Sequence, residues 1–134
     1  MTSENPSIEE VVRAYAEFNS SPSSENEWSS GYLIELTLDG EWVKVWDLIQ
    51  AFTAEGSNPS DSLLAVVAAG PLEDLLSKAG LEYIDKVELL AQTNPIFTRA
   101  LTGVWKSSIE PSVWDRVTTI CRKAPNPIDG HYAF

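Results

Sequence analysis

Acid–base chemistry in this chain would have to rest on carboxylates. Glu73 and Asp74 are adjacent, and Asp85 and Glu88 stand three apart. Neighbouring helical residues diverge, whereas residues three apart share a face. Hydrolysis by two carboxylates needs a cleft that lifts one of their pKa values. The plainer expectation is that Glu73 and Asp74 favour the positive end of a helix, with Asp85 and Glu88 on a solvated face. The same oxygens could serve a hard cation such as Mg²⁺ or Ca²⁺. We expect no catalytic residue, no metal and no cofactor.

The other reactive side chains are few. Histidine occurs once, at His131, fourth from the end in a Pro-rich tail, and cysteine once, at Cys121. These counts exclude zinc ribbons, His-based metal triads, disulfide scaffolds and histidine dyads. No Gly-rich phosphate loop, EF-hand loop, GxSxG or HExxH motif is present. Cys121 falls on the apolar side of a helix, where a free thiol acts as a small hydrophobe.

Charge carries more information. The 134 residues hold 20 acids and 9 bases, a net charge of −11. That balance argues against direct binding to nucleic acid or to anionic membranes. Residues 1–61 contain twelve acids against Arg13 and Lys44, while residues 62–134 contain eight acids and seven bases. Nearly all the excess therefore lies in the first half, where it would steer a basic partner.

The elements that must position these groups are helical. The length suits a single domain over residues 1–134 that folds without disulfide or metal. Ser7 and Glu10 form a capping box ahead of Ile8, Val11, Val12, Tyr15 and Phe18, which predicts a helix over residues 8–19. Residues 19–27 read as a polar loop. Residues 28–54 admit two readings. Asp39-Gly40 within alternating residues is a hairpin signal near 33–45. Trp28, Tyr32, Leu33 and Leu36, then Trp42, Val45, Trp46, Ile49 and Phe52, instead form helical stripes, and two helices are the favoured reading.

Proline and glycine punctuate the second half. Asn58 is read as a cap, Gly70 as a stop, Pro71 as a start and Gly80 as a stop. Further helices are predicted over 81–92, where Glu82 can pair with Lys86, and from Pro95 and Pro111. Phe97, Leu101, Val104 and Trp105 are placed together. Residues 124–134 form a tail. The expected fold is all-α, with seven or eight short helices in antiparallel pairs. They form an irregular bundle or a solenoid-like stack, the latter suggested by Val45-Trp-Asp-Leu-Ile echoing Val113-Trp-Asp-Arg-Val. The N-terminus has neither a basic nor an apolar signal region, and the longest apolar run, Leu63 to Ala69, is far below the ~20 residues of a membrane span. With a lone cysteine, a cytoplasmic location is expected.

The stretch Ala68-Ala-Gly-Pro-Leu-Glu-Asp-Leu-Leu, then Gly80, Tyr83-Ile-Asp-Lys-Val-Glu, Asn94-Pro, Phe97, Arg99-Ala-Leu-Thr-Gly-Val-Trp105 and Val113-Trp114 resembles a family of small, uncharacterised bacterial domains. The resemblance spans roughly residues 45–120. It implies a bacterial or phage-related source and a compact helical domain, and it brings no activity.

These features point to a non-enzymatic protein-binding module. The most concrete form is an immunity or inhibitor protein that occludes a basic partner such as a toxin or nuclease. Glu25, Glu27, Glu35, Asp39 and Glu41 are the expected partner-facing acids, with Trp28 and Tyr32 as aromatic anchors beside the acidic, Ser-rich stretch. A helical scaffold with an apolar groove, or a carboxylate-dependent hydrolase, are the alternatives.

Overall fold

The computed structural model describes residues 5–128. Its elements are α1 (Ile8–Ser20), α2 (Trp28–Leu38), α3 (Trp42–Phe52), α4 (Asp61–Val67), a π-helical turn (Ala68–Leu72), α5 (Glu73–Thr93), α6 (Pro95–Leu101) and α7 (Pro111–Cys121). No strand occurs among the described residues. The fold is all-α. Because α4, the π turn and α5 run on without a break, the described residues form six joined helices rather than seven or eight.

The first three helices follow from local signals. Ser7 caps α1 by accepting from the Glu10 N–H at 3.1 Å, while the Ser7 N–H donates to the Glu10 carboxylate at 2.9 Å. The helix extends to Ser20, so the polar loop begins two residues later than its composition suggests. No hairpin forms at Asp39-Gly40. Gly40 takes a left-handed φ of 71°, the usual way to leave a helix C-terminus, and the chain re-enters α3 two residues later.

The second half departs from its punctuation. Asn58 lies in the left-handed region (φ 52°) and leaves the capping to Ser60, whose hydroxyl accepts from the Leu63 N–H at 3.1 Å. Pro71 does not begin a new helix. Its missing N–H is absorbed by the π turn, in which the Glu73 N–H reaches back five residues to the Ala68 carbonyl. Gly80 does not end one either. The axis kinks at Ala79 (φ −133°, ψ 23°), and Gly80 is buried against Val113 of α7. Lys86 lies over the Tyr83 ring, 5.2 Å from its centroid, rather than pairing with Glu82.

One apolar cluster draws on every helix. At its centre Trp46 of α3 meets Phe97 of α6 edge-on (centroids 5.7 Å apart, planes at 90°) and Tyr83 of α5 at 5.8 Å. Helix α3 touches α1, α2, α4, the π turn and α5. A solenoid repeat would contact only its neighbours, so the arrangement is an irregular bundle. Phe97, Leu101 and Val104 are buried together as expected, but α6 ends at Leu101 and Trp105 emerges 54 % exposed. The tail is anchored as far as Ile128, whose N–H donates to Thr102 Oγ1 at 2.9 Å, and Arg99 Nε donates to the Asn126 carbonyl at 2.9 Å. His131, with Tyr132 and Phe134, lies outside the described residues.

Candidate functional site

The five acids expected to face a partner are strung along α2 and its two flanking turns. Glu25 and Glu27 lie at its entry, Glu35 is on its body, and Asp39 and Glu41 are in the turn to α3. An eleven-residue helix is about 16 Å long, so the acids bracket a surface of roughly that length. All five are exposed. None takes part in an ion pair or side-chain hydrogen bond among the described residues. Ion pairs among the described residues join Arg13 to Glu17, Arg99 to Asp61, and Arg116 to Asp85 and Glu88.

Trp28 and Tyr32 are half-buried one turn apart, with ring centroids at 6.5 Å. Their inner edges rest against the core, leaving part of each ring available. The entry loop is held from two sides. Asn26 Nδ2 donates to Glu17 of α1 at 3.1 Å, and the buried Ser29 hydroxyl donates to the Asn26 carbonyl at 2.7 Å.

Three apolar residues of this surface escape a stripe-based reading. Ile34 is 56 % exposed, Leu38 80 % and Val43 69 %. The signal was present in α2, whose apolar residues at 28, 32, 33, 34, 36 and 38 encircle the helix. Such a helix cannot bury every apolar side chain against one neighbour. Leu38 and Val43 bracket the acidic turn, so apolar and acidic groups alternate along this edge.

The carboxylate pairs behave differently from a catalytic dyad. Asp85 and Glu88 do share a face of α5, but Arg116 of α7 occupies both. Its Nε donates to Glu88 Oε2 at 2.9 Å and its Nη2 to Asp85 Oδ1 at 2.6 Å, with a second Nη2 bond to Glu88 Oε1. The guanidinium holds the Glu88 carboxyl below its ordinary range, the reverse of what a general acid needs, and the two carboxylates in turn raise the Arg116 pKa. Glu73 accepts from the Trp105 N–H at 3.3 Å. Asp74 is half-buried, and desolvation raises its pKa.

Cys121 is buried, and burial pushes its thiol up to about 12, as suits a core residue. Among the described residues, no three His, Cys, Asp or Glu side chains are grouped to hold a metal ion. No helix of the described residues is long and apolar enough to cross a membrane.

No curated protein and no solved structure matches the chain. A family model does match, over residues 16–124, a span that includes α2, α3 and all five acids. The chain belongs to DUF6869, a family of unknown function.

Proposed function

We propose that the chain is a non-enzymatic binding module whose acidic α2 edge docks on a basic protein partner and occludes it. An immunity or inhibitor protein of the bacterial cytoplasm, acting on a toxin such as a nuclease, is the most concrete form of this reading. The observation that carries it is the set of five exposed carboxylates along α2 and its flanking turns, with no ion pair among the described residues, beside the exposed Ile34 and Leu38. Like charges that repel one another add nothing to the stability of the isolated fold. Asp39, at the negative end of α2, also opposes the helix dipole. A cationic surface brought against them would relieve that repulsion.

The mechanism is occlusion. Acidic charge speeds encounter with a basic groove and aligns the two surfaces. Trp28, Tyr32, Ile34, Leu38 and Val43 supply the apolar contact that is desolvated on docking and slows release. Affinity capture from the source cell tests this, using the chain and a variant with Glu25, Glu27 and Glu41 changed to Gln, Glu35→Gln and Asp39→Asn. The expected result is a basic partner retained by the chain at low salt, lost at high salt, and not retained by the variant. A partner held equally by both proteins at high salt would overturn the reading.

One observation favours a scaffold instead. A cavity of about 560 Å³ lies where the end of α5 meets α6, α7 and the tail, with Ala91, Pro95, Ile120 and Pro125 among its lining. A partner seated there would bind through apolar contact and resist salt.

A further inference from the structure

Beside α2 lies a second cavity, of about 150 Å³, with Leu33 and Ile34 of α2 and Pro71 of the π turn among its walls. Ser30 and Thr37 stand on its α2 side, and Asp74 of α5 also lines it. The π turn decides that last placement. One extra residue in a helical turn rotates the following helix by about 100°, so an unbroken α-helix would carry Asp74 away from this cavity.

Asp74 is half-buried and takes part in no hydrogen bond or ion pair among the described residues. Desolvation raises its pKa, and Lys78 one turn on offsets this only in part. A carboxylate partly withdrawn from water, with its desolvation only partly offset, lowers the stability of the isolated chain, and a cation seated directly against it would reverse that cost. The remaining lining fits a cation on an apolar stem. Leu33, Ile34 and Pro71 suit methylene groups, and Thr37 donates its own hydrogen to the Ile34 carbonyl at 2.9 Å, leaving its oxygen able to accept. Ile34 is at once a wall of the cavity and an exposed residue of the acidic edge, so the two are continuous.

We infer that this cavity receives one arginine side chain of the basic partner, with Asp74 as the carboxylate it pairs with. The inference rests on the reading of the α2 edge as the docking side. Arginine suits the site better than lysine, because its guanidinium is more weakly hydrated and can make two parallel bonds to one carboxylate.

The test titrates a short, capped oligo-arginine peptide into the ¹⁵N-labelled full chain, with oligo-lysine and oligo-glutamine peptides of equal length as further probes. Oligo-arginine is expected to shift the amides of Ser30, Ile34, Thr37, Gly70 and Asp74 and to bind more tightly than oligo-lysine. Asp74→Asn is expected to weaken oligo-arginine binding at least tenfold (~1.4 kcal/mol) while keeping the dispersed spectrum of the folded chain. Equal affinity for arginine and lysine peptides, or an unchanged affinity in Asp74→Asn, would overturn the inference. The variant lacking the five edge acids separates the two readings. If it alone loses binding, the arginine cavity is wrong and the acidic edge stands. If Asp74→Asn alone loses binding, the cavity stands and the edge does not.

Discussion

Asn94 donates its side-chain amide to the Thr53 carbonyl at 2.9 Å, across 41 residues of sequence. Its Oδ1 meanwhile accepts from the Ile96 and Phe97 N–H groups at 2.9 and 3.0 Å. One side chain thus caps α6 and ties it to the end of α3. Asn94→Ala should cost roughly 2 kcal/mol, about half from the cap and half from the lost bond to Thr53. Asn94→Asp should keep the cap but set a carboxylate against a carbonyl oxygen, so it too should destabilise. Urea unfolding measures both. A loss within a few tenths of a kcal/mol for Asn94→Ala would contradict the assignment.

Gly80 and Val113 define how closely α5 and α7 approach. A Cβ on Gly80 would lie 3.0 Å from Val113 Cγ1 and 3.3 Å from Cγ2. Gly80→Ala should therefore gain nothing from alanine's better helix propensity and should destabilise the chain. Adding Val113→Ala should recover part of that loss, giving a coupling of about 1 kcal/mol in a double-mutant cycle. Strictly additive effects would show that the two helices do not meet here as described.

The acidic limb of the stability profile should contain two opposite contributions. Arg116 depresses the folded-state pKa of Glu88, so this carboxylate stabilises the fold above its ordinary range. The contribution is lost as pH falls through the lowered value. Arg116→Gln should lower the urea midpoint near neutrality, and the difference should close in strong acid. Asp74 has a raised folded-state pKa, so it weakens the fold once pH rises through that value. Asp74→Asn should raise the midpoint at neutral pH, with the gain vanishing below the ordinary aspartate range. A neutral-pH loss in Asp74→Asn would contradict a half-buried carboxylate whose desolvation outweighs its attraction to Lys78.

Cys121 should be inert in the folded chain. With its thiol pushed up to about 12 from an ordinary 9.0, its thiolate fraction at pH 8 is lower by roughly a thousandfold, and burial blocks access as well. Alkylation followed by mass spectrometry should label it only in denaturant. Rapid labelling of the native chain would show that α7 opens readily.

What could be read from the sequence was local. The Ser7–Glu10 capping box lies within three residues, and the α3 stripe from Trp42 to Phe52 follows from helical spacing. Asp39-Gly40 suited both a hairpin and a helix end, because both need a left-handed glycine. Pro71 and Gly80 carry boundary signals yet lie inside continuous helix, for a different reason. A π turn absorbs the proline, and Gly80 is small because Val113, 33 positions on, packs against it. The exposure of the five acids was legible from charge alone. The Asp74 cavity and the Arg116 clamp were not, since each joins residues more than 25 positions apart.

In the proposed function, charge along α2 brings the chain to a basic partner. This steering is tested most directly by the association rate of the captured partner, measured over a salt series for the chain and for the variant lacking Glu25, Glu27, Glu35, Asp39 and Glu41. The rate is expected to fall steeply with salt in the chain and to be slower and nearly flat in the variant. Equal rates with equal salt dependence would contradict it and move the binding surface elsewhere on the bundle.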